Sequence, residues 1–161
     1  MRLEGKVALI SGGARGMGAV EAKLFAKEGA KVVIGDVLED LGKGLEAEIN
    51  ETGGEALFVK LDVRKEEEWQ RAVDATVRRF GKLDILVHVA GILRDRMVFN
   101  MTEEEWDGVL QVHLYGAFNM VRHAVPHMID QHYGRVVLFS SGSGLGASGQ
   151  VNYAAAKEGM V

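Results

Sequence analysis

Tyr153 and Lys157 are separated by three alanines, and near the start of the chain Ser11-Gly12-Gly13-Ala14-Arg15-Gly16-Met17-Gly18 follows an apolar run. Each pattern has a chemistry. On a helix, a lysine one turn beyond a tyrosine lies about 5 to 6 Å away, and at an effective dielectric of about 20 its charge favours the phenolate by roughly 3 kcal/mol, about two pKa units. A free phenol, at pKa about 10, is too weak a base near neutral pH; beside Lys157 it comes within range of exchanging a proton with an alcohol. A single Tyr-x-x-x-Lys pair says little by itself, and its company decides. The glycine octet, read as a turn from strand to helix, is that company. Gly12, Gly16 and Gly18 tolerate positive φ and carry no Cβ, so backbone N–H groups can reach a pyrophosphate at the helix N-terminus, with Arg15 and Met17 in the same turn.

Asp36 closes the second apolar run. A carboxylate there accepts hydrogen bonds from the adenosine ribose hydroxyls and repels a 2′-phosphate, which selects NAD over NADP. Arg15 points the other way, since a guanidinium pairs with phosphate, but Val37 supplies no second cation. The alternative reading of Asp36 is a helix N-terminal charge. After the third run, in Leu61-Asp62-Val63, Asp62 with its neighbour Val63 either meets the adenine edge or caps a turn.

These residues need elements to hold them. Val7 to Ile10, Lys31 to Ile34, Ala56 to Leu61, Ile85 to Val89 and Val136 to Phe139 read as strands buried on both faces. Between them lie helical stripes: Leu38, Leu41, Leu45 and Ile49, then Trp69, Ala72, Val73, Val77 and Phe80, with Gly29 and Gly81 as stops. Thr102 and Glu105 form a capping box. From there Trp106, Val109, Leu110, His113, Leu114, Ala117, Val121, Ala124 and Val125 continue one stripe that Pro126 ends or kinks. The acidic runs at 66–68 and 103–105 read as solvated first turns. Strict alternation predicts an α/β fold, a doubly wound parallel sheet of the Rossmann type, as one dinucleotide-binding domain over residues 1–161. The expected strand order is 3-2-1-4-5, with the sixth strand and the C-terminal part of the domain absent.

The order of these motifs, with Ser140 and Ser141 after the fifth strand and Gly149-Gln150-Val151-Asn152-Tyr153 leading into the tyrosine, resembles the short-chain dehydrogenase/reductase family over all 161 residues. The resemblance implies a dehydrogenase or ketone reductase in which Tyr153 exchanges the alcohol proton. It also implies that Lys157 holds the nicotinamide ribose and that a serine hydroxyl polarises the substrate oxygen. Counting back from Tyr153 at the family spacing gives Ser140, and counting forward along the strand from Arg135 gives Ser141. Ser141 is preferred, because strand register fixes a side chain's face while a loop absorbs a deletion.

Where many relatives carry Asn-Asn-Ala-Gly, this chain reads His88-Val89-Ala90-Gly91, and Ala90 and Gly91 still allow close backbone approach. The helix position of the family's asparagine is His113, either a core histidine or a residue that relays protons or positions backbone. Gly91 to Met97 and Val112-His113-Leu114 resemble the oxoacyl-carrier-protein reductase and (3R)-hydroxyacyl-CoA dehydrogenase branch. That branch implies an acyl thioester substrate. A homodimer or homotetramer is implied as well, through the long helix and the tyrosine helix.

Composition narrows the classes further. The chain has 47% hydrophobic residues and no cysteine, so a packed core is expected and disulfide or thiol chemistry is excluded. A net charge of −4 without a basic tract argues against nucleic acid and anionic membrane as partners. The absence of a long apolar run or a cleavable leader points to the cytoplasm. His123 and His127 lack a carboxylate at ligand spacing, so no metal is expected. Met97, Met101, Met120 and Met128 read as core or pocket fillers. Taken alone, these 161 residues are expected to bind NAD weakly and not to turn over. A nucleotide-binding module without catalysis is the competing class.

Overall fold

Every residue of the first apolar run is buried, because helices cover both sides of it. The computed structural model describes all residues, Met1–Val161. Five parallel strands are present: β1 (Val7–Ser11), β2 (Lys31–Asp36), β3 (Glu55–Lys60), β4 (Ile85–His88) and β5 (Arg135–Leu138). They pair in the order β3-β2-β1-β4-β5. Helices α1 (Gly16–Lys27), α2 (Glu39–Glu51) and α3 (Glu66–Phe80) connect the first four strands. Helix α4 (Glu103–Leu110) and helix α5 (Gly116–Asp130) precede β5, and α6 (Val151–Glu158) follows it. The expected doubly wound order is the observed one.

Side chains alternate across the sheet and divide the core in two. Leu9, Val33 and Leu86 pack beneath α3 and α5 with Trp69, Ala72, Val73, Met120 and Met128. Ala8, Ile10, Val32 and Ile34 pack beneath α1 and α2 with Ala22, Leu45 and Ile49. Strand β5 differs from the others. Like β3 it is an edge strand, pairing with β4 alone, but its Val136 and Val137 are 40% and 41% exposed.

Four local readings change. Leu41 points outward, because its neighbour Gly42 lies against the Phe58 ring, where a Cβ would collide with that ring. The long helix does not end at Pro126; it continues to Asp130, held by the buried Met120, Ala124 and Met128. Its real interruption is a π-helical turn at Gln111–Tyr115. The extra residue of that turn rotates the buried face, so Met120 and Met128 join Ala124 in the core, while Val121 is only partly buried against it. Glu68 is not solvated: it is buried and accepts the Asp62 N–H at 2.6 Å, while the Thr102 capping box forms as expected.

Trp69 is the largest fully buried side chain, and its Nε1–H donates to the Val63 carbonyl at 3.0 Å. Trp69→Ala is expected to lower unfolding free energy by about 3 to 5 kcal/mol, through the cavity and the orphaned carbonyl. Urea unfolding followed by circular dichroism checks this, with Trp69→Phe expected to fall between the two.

Candidate active site

Because the strands are parallel, Ser11, Asp36, Lys60, His88 and Leu138 all end on one edge of the sheet. The chain reverses its lateral direction between β1 and β4, which is where a crevice opens in such sheets. There the Ser11 carbonyl accepts the N–H groups of both Val89 and Ala90 at 3.1 Å. Gly12 has φ +68°, and a Cβ on it would lie 2.6 Å from the Ala90 nitrogen; a Cβ on Gly18 would collide with the Gly12 carbonyl. The loop can therefore turn only with glycine at these positions, and it leaves Gly16 exposed at the start of α1. Arg15 and Met17 are exposed beside it, and Arg15 makes no side-chain capping bond.

On the β2 side, Asp36 is buried, and its two carboxylate oxygens accept the N–H groups of Ala14 and Leu38, each at 3.0 Å. The carboxylate thus ties the end of β2 to the glycine loop and retains lone pairs for a ribose. Asp62 is engaged by Arg64 through Nε at 2.9 Å and Nη2 at 2.6 Å, and its Oδ1 accepts the Arg64 N–H at 3.1 Å. The guanidinium holds the Asp62 carboxyl below its ordinary range. Val63 beside it is buried.

On the β5 side, α6 carries Tyr153 and Lys157 one turn apart, with the ammonium 5.5 Å from the phenol ring centroid. Lys157 is buried and donates to the Phe139 carbonyl at 2.5 Å, and burial lowers its pKa. The two serines differ in bonding. The Ser140 hydroxyl donates to the Lys157 carbonyl at 3.2 Å, whereas the Ser141 oxygen accepts the Ser143 N–H at 3.3 Å and the Ser143 hydroxyl at 2.9 Å.

His113 lies in the π-helical turn, buried, with its ring edge-on to Tyr153 at a centroid distance of 5.2 Å. Its Nε2 is 3.1 Å from the Ile92 nitrogen and 2.9 Å from the Ile92 oxygen, while Nδ1 is buried without a partner. Burial lowers its pKa, so the ring is neutral. A Cβ on Gly91 would lie 2.5 Å from its Cε1. The glycine loop, Asp36, Asp62, Val63, Ala90, Gly91, His113, Tyr153 and Lys157 are thus gathered along the edge formed by the strand ends and the loops that follow them. A cavity of about 590 Å³ lies at the other end, with Met1, Lys23, Lys31, Glu48 and Glu55 among the residues that line it.

Two residues gain a role that spacing does not reveal. His88 was legible only as a departure from asparagine. It is fully enclosed: Nδ1 accepts from the Ser11 hydroxyl at 2.7 Å, and Nε2–H is shared between the Val112 and His113 carbonyls at 3.2 Å. This bond reaches the π-helical turn and holds its carbonyls. The other is Asn152, which has no exposed surface and which only its position before Tyr153 marked out.

A glycine turn at the switch point, a carboxylate closing β2 and a Tyr-x-x-x-Lys helix beside β5 share one edge of a doubly wound Rossmann sheet. The chain belongs to the short chain dehydrogenase family, whose description residues 6–161 match. The 3-oxoacyl-acyl-carrier-protein reductase FabG of Thermotoga maritima is 42% identical over 162 residues, covering 100% of this chain and 66% of that protein. Peroxisomal multifunctional enzyme type 2 of Drosophila melanogaster is 40% identical over 171 residues, covering 100% of this chain and 28% of the relative. A solved structure of a short chain dehydrogenase from Mycobacterium avium superposes with a TM-score of 0.94 at 37% identity, over 99% of this chain and 63% of that one. The chain therefore spans about two thirds of the reductase and of the solved structure. No helix is long and apolar enough to cross a membrane.

Burial pushes the His88 imidazole down to about 4. An unfolded histidine titrates near 6.5, so below that pH the unfolded chain binds a proton that the folded chain refuses. Stability from this group is complete above about pH 6.5 and is lost as the pH falls toward about 4, by up to about 3 kcal/mol. Urea unfolding at about pH 7 and about pH 4.5 is expected to show a drop about 2 kcal/mol smaller in His88→Asn than in the parent.

Proposed function

We propose that these residues form the cofactor-binding and proton-transfer part of an NAD-dependent enzyme that interconverts a secondary alcohol and a ketone. The observation that carries this reading is the single edge shared by the glycine turn, Asp36 and the Tyr153–Lys157 helix. When bound, NAD supplies the hydride acceptor. The exposed turn Arg15-Gly16-Met17 at the α1 N-terminus, set by Gly12 and Gly18, suits a pyrophosphate, and the Asp36 carboxylate suits a ribose diol and opposes a 2′-phosphate. Asp62 and Val63 flank the adenine, and Ala90 and Gly91 line the crossing between the two halves.

Tyr153 takes the alcohol proton, and the Lys157 ammonium, one turn on, lies beside the place of the nicotinamide ribose. Ser141 is favoured as the residue that contacts the substrate oxygen. Its oxygen accepts two bonds from Ser143, leaving its own proton to donate, whereas the Ser140 proton is directed to Lys157. His113 is neutral, lies against Tyr153 and holds Ile92, which supports a positioning or relay role at the reacting end. The substrate class proposed is a 3-hydroxyacyl or 3-oxoacyl thioester; the Thermotoga maritima relative is named as a 3-oxoacyl-acyl-carrier-protein reductase. A cytoplasmic homodimer or homotetramer completes the reading.

NAD is expected to bind at least about tenfold tighter than NADP, and Asp36→Ala to narrow that gap. Calorimetry with both dinucleotides checks this, and equal or reversed affinities would overturn the NAD assignment. In the intact natural gene product, NADH formation with secondary alcohols and 3-hydroxyacyl thioesters is expected to disappear in Tyr153→Phe while NAD binding persists. NAD binding without NADH formation across the panel would favour a non-catalytic module.

His113→Asn is expected to keep most of that activity, and His113→Leu to lose turnover at least about tenfold more than its melting temperature explains. Initial rates per folded molecule separate this from a purely structural histidine.

A further inference from the structure

The segment after β4 and the segment before α6 are zipped together. Arg96 N–H donates to the Gly149 carbonyl at 2.8 Å, Gln150 Nε2 to Asp95 Oδ2 at 2.9 Å, and the Ser148 hydroxyl to Met97 Sδ at 3.5 Å. The buried end of this seam is Asn152, which has no exposed surface. Its Nδ2 donates to the carbonyls of Arg94 and Glu105, both at 3.0 Å, and its Oδ1 accepts the Tyr153 N–H at 2.8 Å. One primary amide thereby joins three pieces of backbone: the segment after β4, helix α4 and the first turn of α6.

The chemistry is specific to asparagine. Two carbonyl oxygens and one N–H require two donors and one acceptor within a side chain of this length. Aspartate would present oxygen to both carbonyls, and alanine would remove all three of these hydrogen bonds. Glu105 is itself fixed, since it closes the capping box with Thr102 and pairs with Arg96 at 2.7 Å. Helix α6 has only eight residues, too few to hold a geometry by its own hydrogen bonds, so its place is set by what grips its first turn. Tyr153 is the next residue, and its ring meets His113 edge-on at 5.2 Å.

We propose that Asn152 is a positioning residue that sets the height and rotation of Tyr153 against His113 and the crevice. This rests on the reading of Tyr153 as the proton-transfer residue, although the placement itself can be measured without turnover. Nuclear magnetic resonance of the 161-residue protein reads it in two ways. In the parent, the two Asn152 Nδ2 protons are expected to exchange at least about a hundredfold slower than those of an exposed asparagine. Exchange at the free rate overturns the proposal without requiring any variant to fold.

In folded Asn152→Ala and Asn152→Asp, the His113 Cε1–H resonance is expected to move toward its position in Tyr153→Leu, where the ring current is gone. An unmoved resonance in both overturns the proposal. In the intact natural gene product, kcat is expected to fall at least about tenfold in Asn152→Asp while KM for NAD stays within about twofold, because the adenosine contacts are remote. An unchanged kcat, or a loss matched by the loss of folded protein, overturns it too. If the unmodified gene product forms no NADH, the reading of the reaction fails, and the exchange and His113 resonances still decide the role of Asn152.

Discussion

The approach of β1 to β4 at the sheet's switch point constrains everything built around it. Ser11 is fully buried there and uses both of its polar groups. Its carbonyl accepts the N–H groups of Val89 and Ala90, and its hydroxyl donates to the His88 ring at 2.7 Å. One residue thus couples the glycine turn on the β2 side to the π-helical turn on the β5 side. Gly12 follows immediately, and any Cβ there would strike Ala90. The approach of the two loops is therefore as close as the backbone permits.

Charge inside the reacting end is kept sparse. His88 and His113 are both driven toward neutrality, first by burial, and the Lys157 ammonium disfavours a second positive charge on either ring. Lys157 is then the cation left beside Tyr153, and the Phe139 carbonyl holds it in place. Low local polarity makes that single charge count for more than it would in water. The His88 ring also does what a smaller amide would do over a longer reach: it spans from β1 to the carbonyls of Val112 and His113, and Gly116 leaves room for its Cε1.

The architecture was legible because buried parallel strands write themselves as unbroken apolar runs, and the strand order follows from strict alternation with right-handed crossovers. The place of the glycine turn after β1 and of Asp36 at the end of β2 was legible for a similar reason, since each directly follows or closes an apolar run. Helix faces were less so. The burial of Met120 and Met128 beside Ala124 comes from one extra residue in the π-helical turn, and no periodicity announces it. Leu41 was misplaced because Phe58, distant in sequence, fills the space beside Gly42. The roles of His88 and Asn152 depend on carbonyls from other elements, which a linear reading does not bring together.

The central claim is that one dinucleotide lies across the switch point, with its adenosine toward β2 and its nicotinamide toward α6. The most direct test is a map of backbone amide shifts in the 161-residue protein as NAD is added. The account predicts perturbation of Gly12 to Gly18, Asp36, Val63, Ala90, Gly91 and Tyr153, with the opposite end around Lys31, Gly53 and Glu55 unmoved. Perturbation confined to that opposite end, or none at saturating NAD, would contradict it.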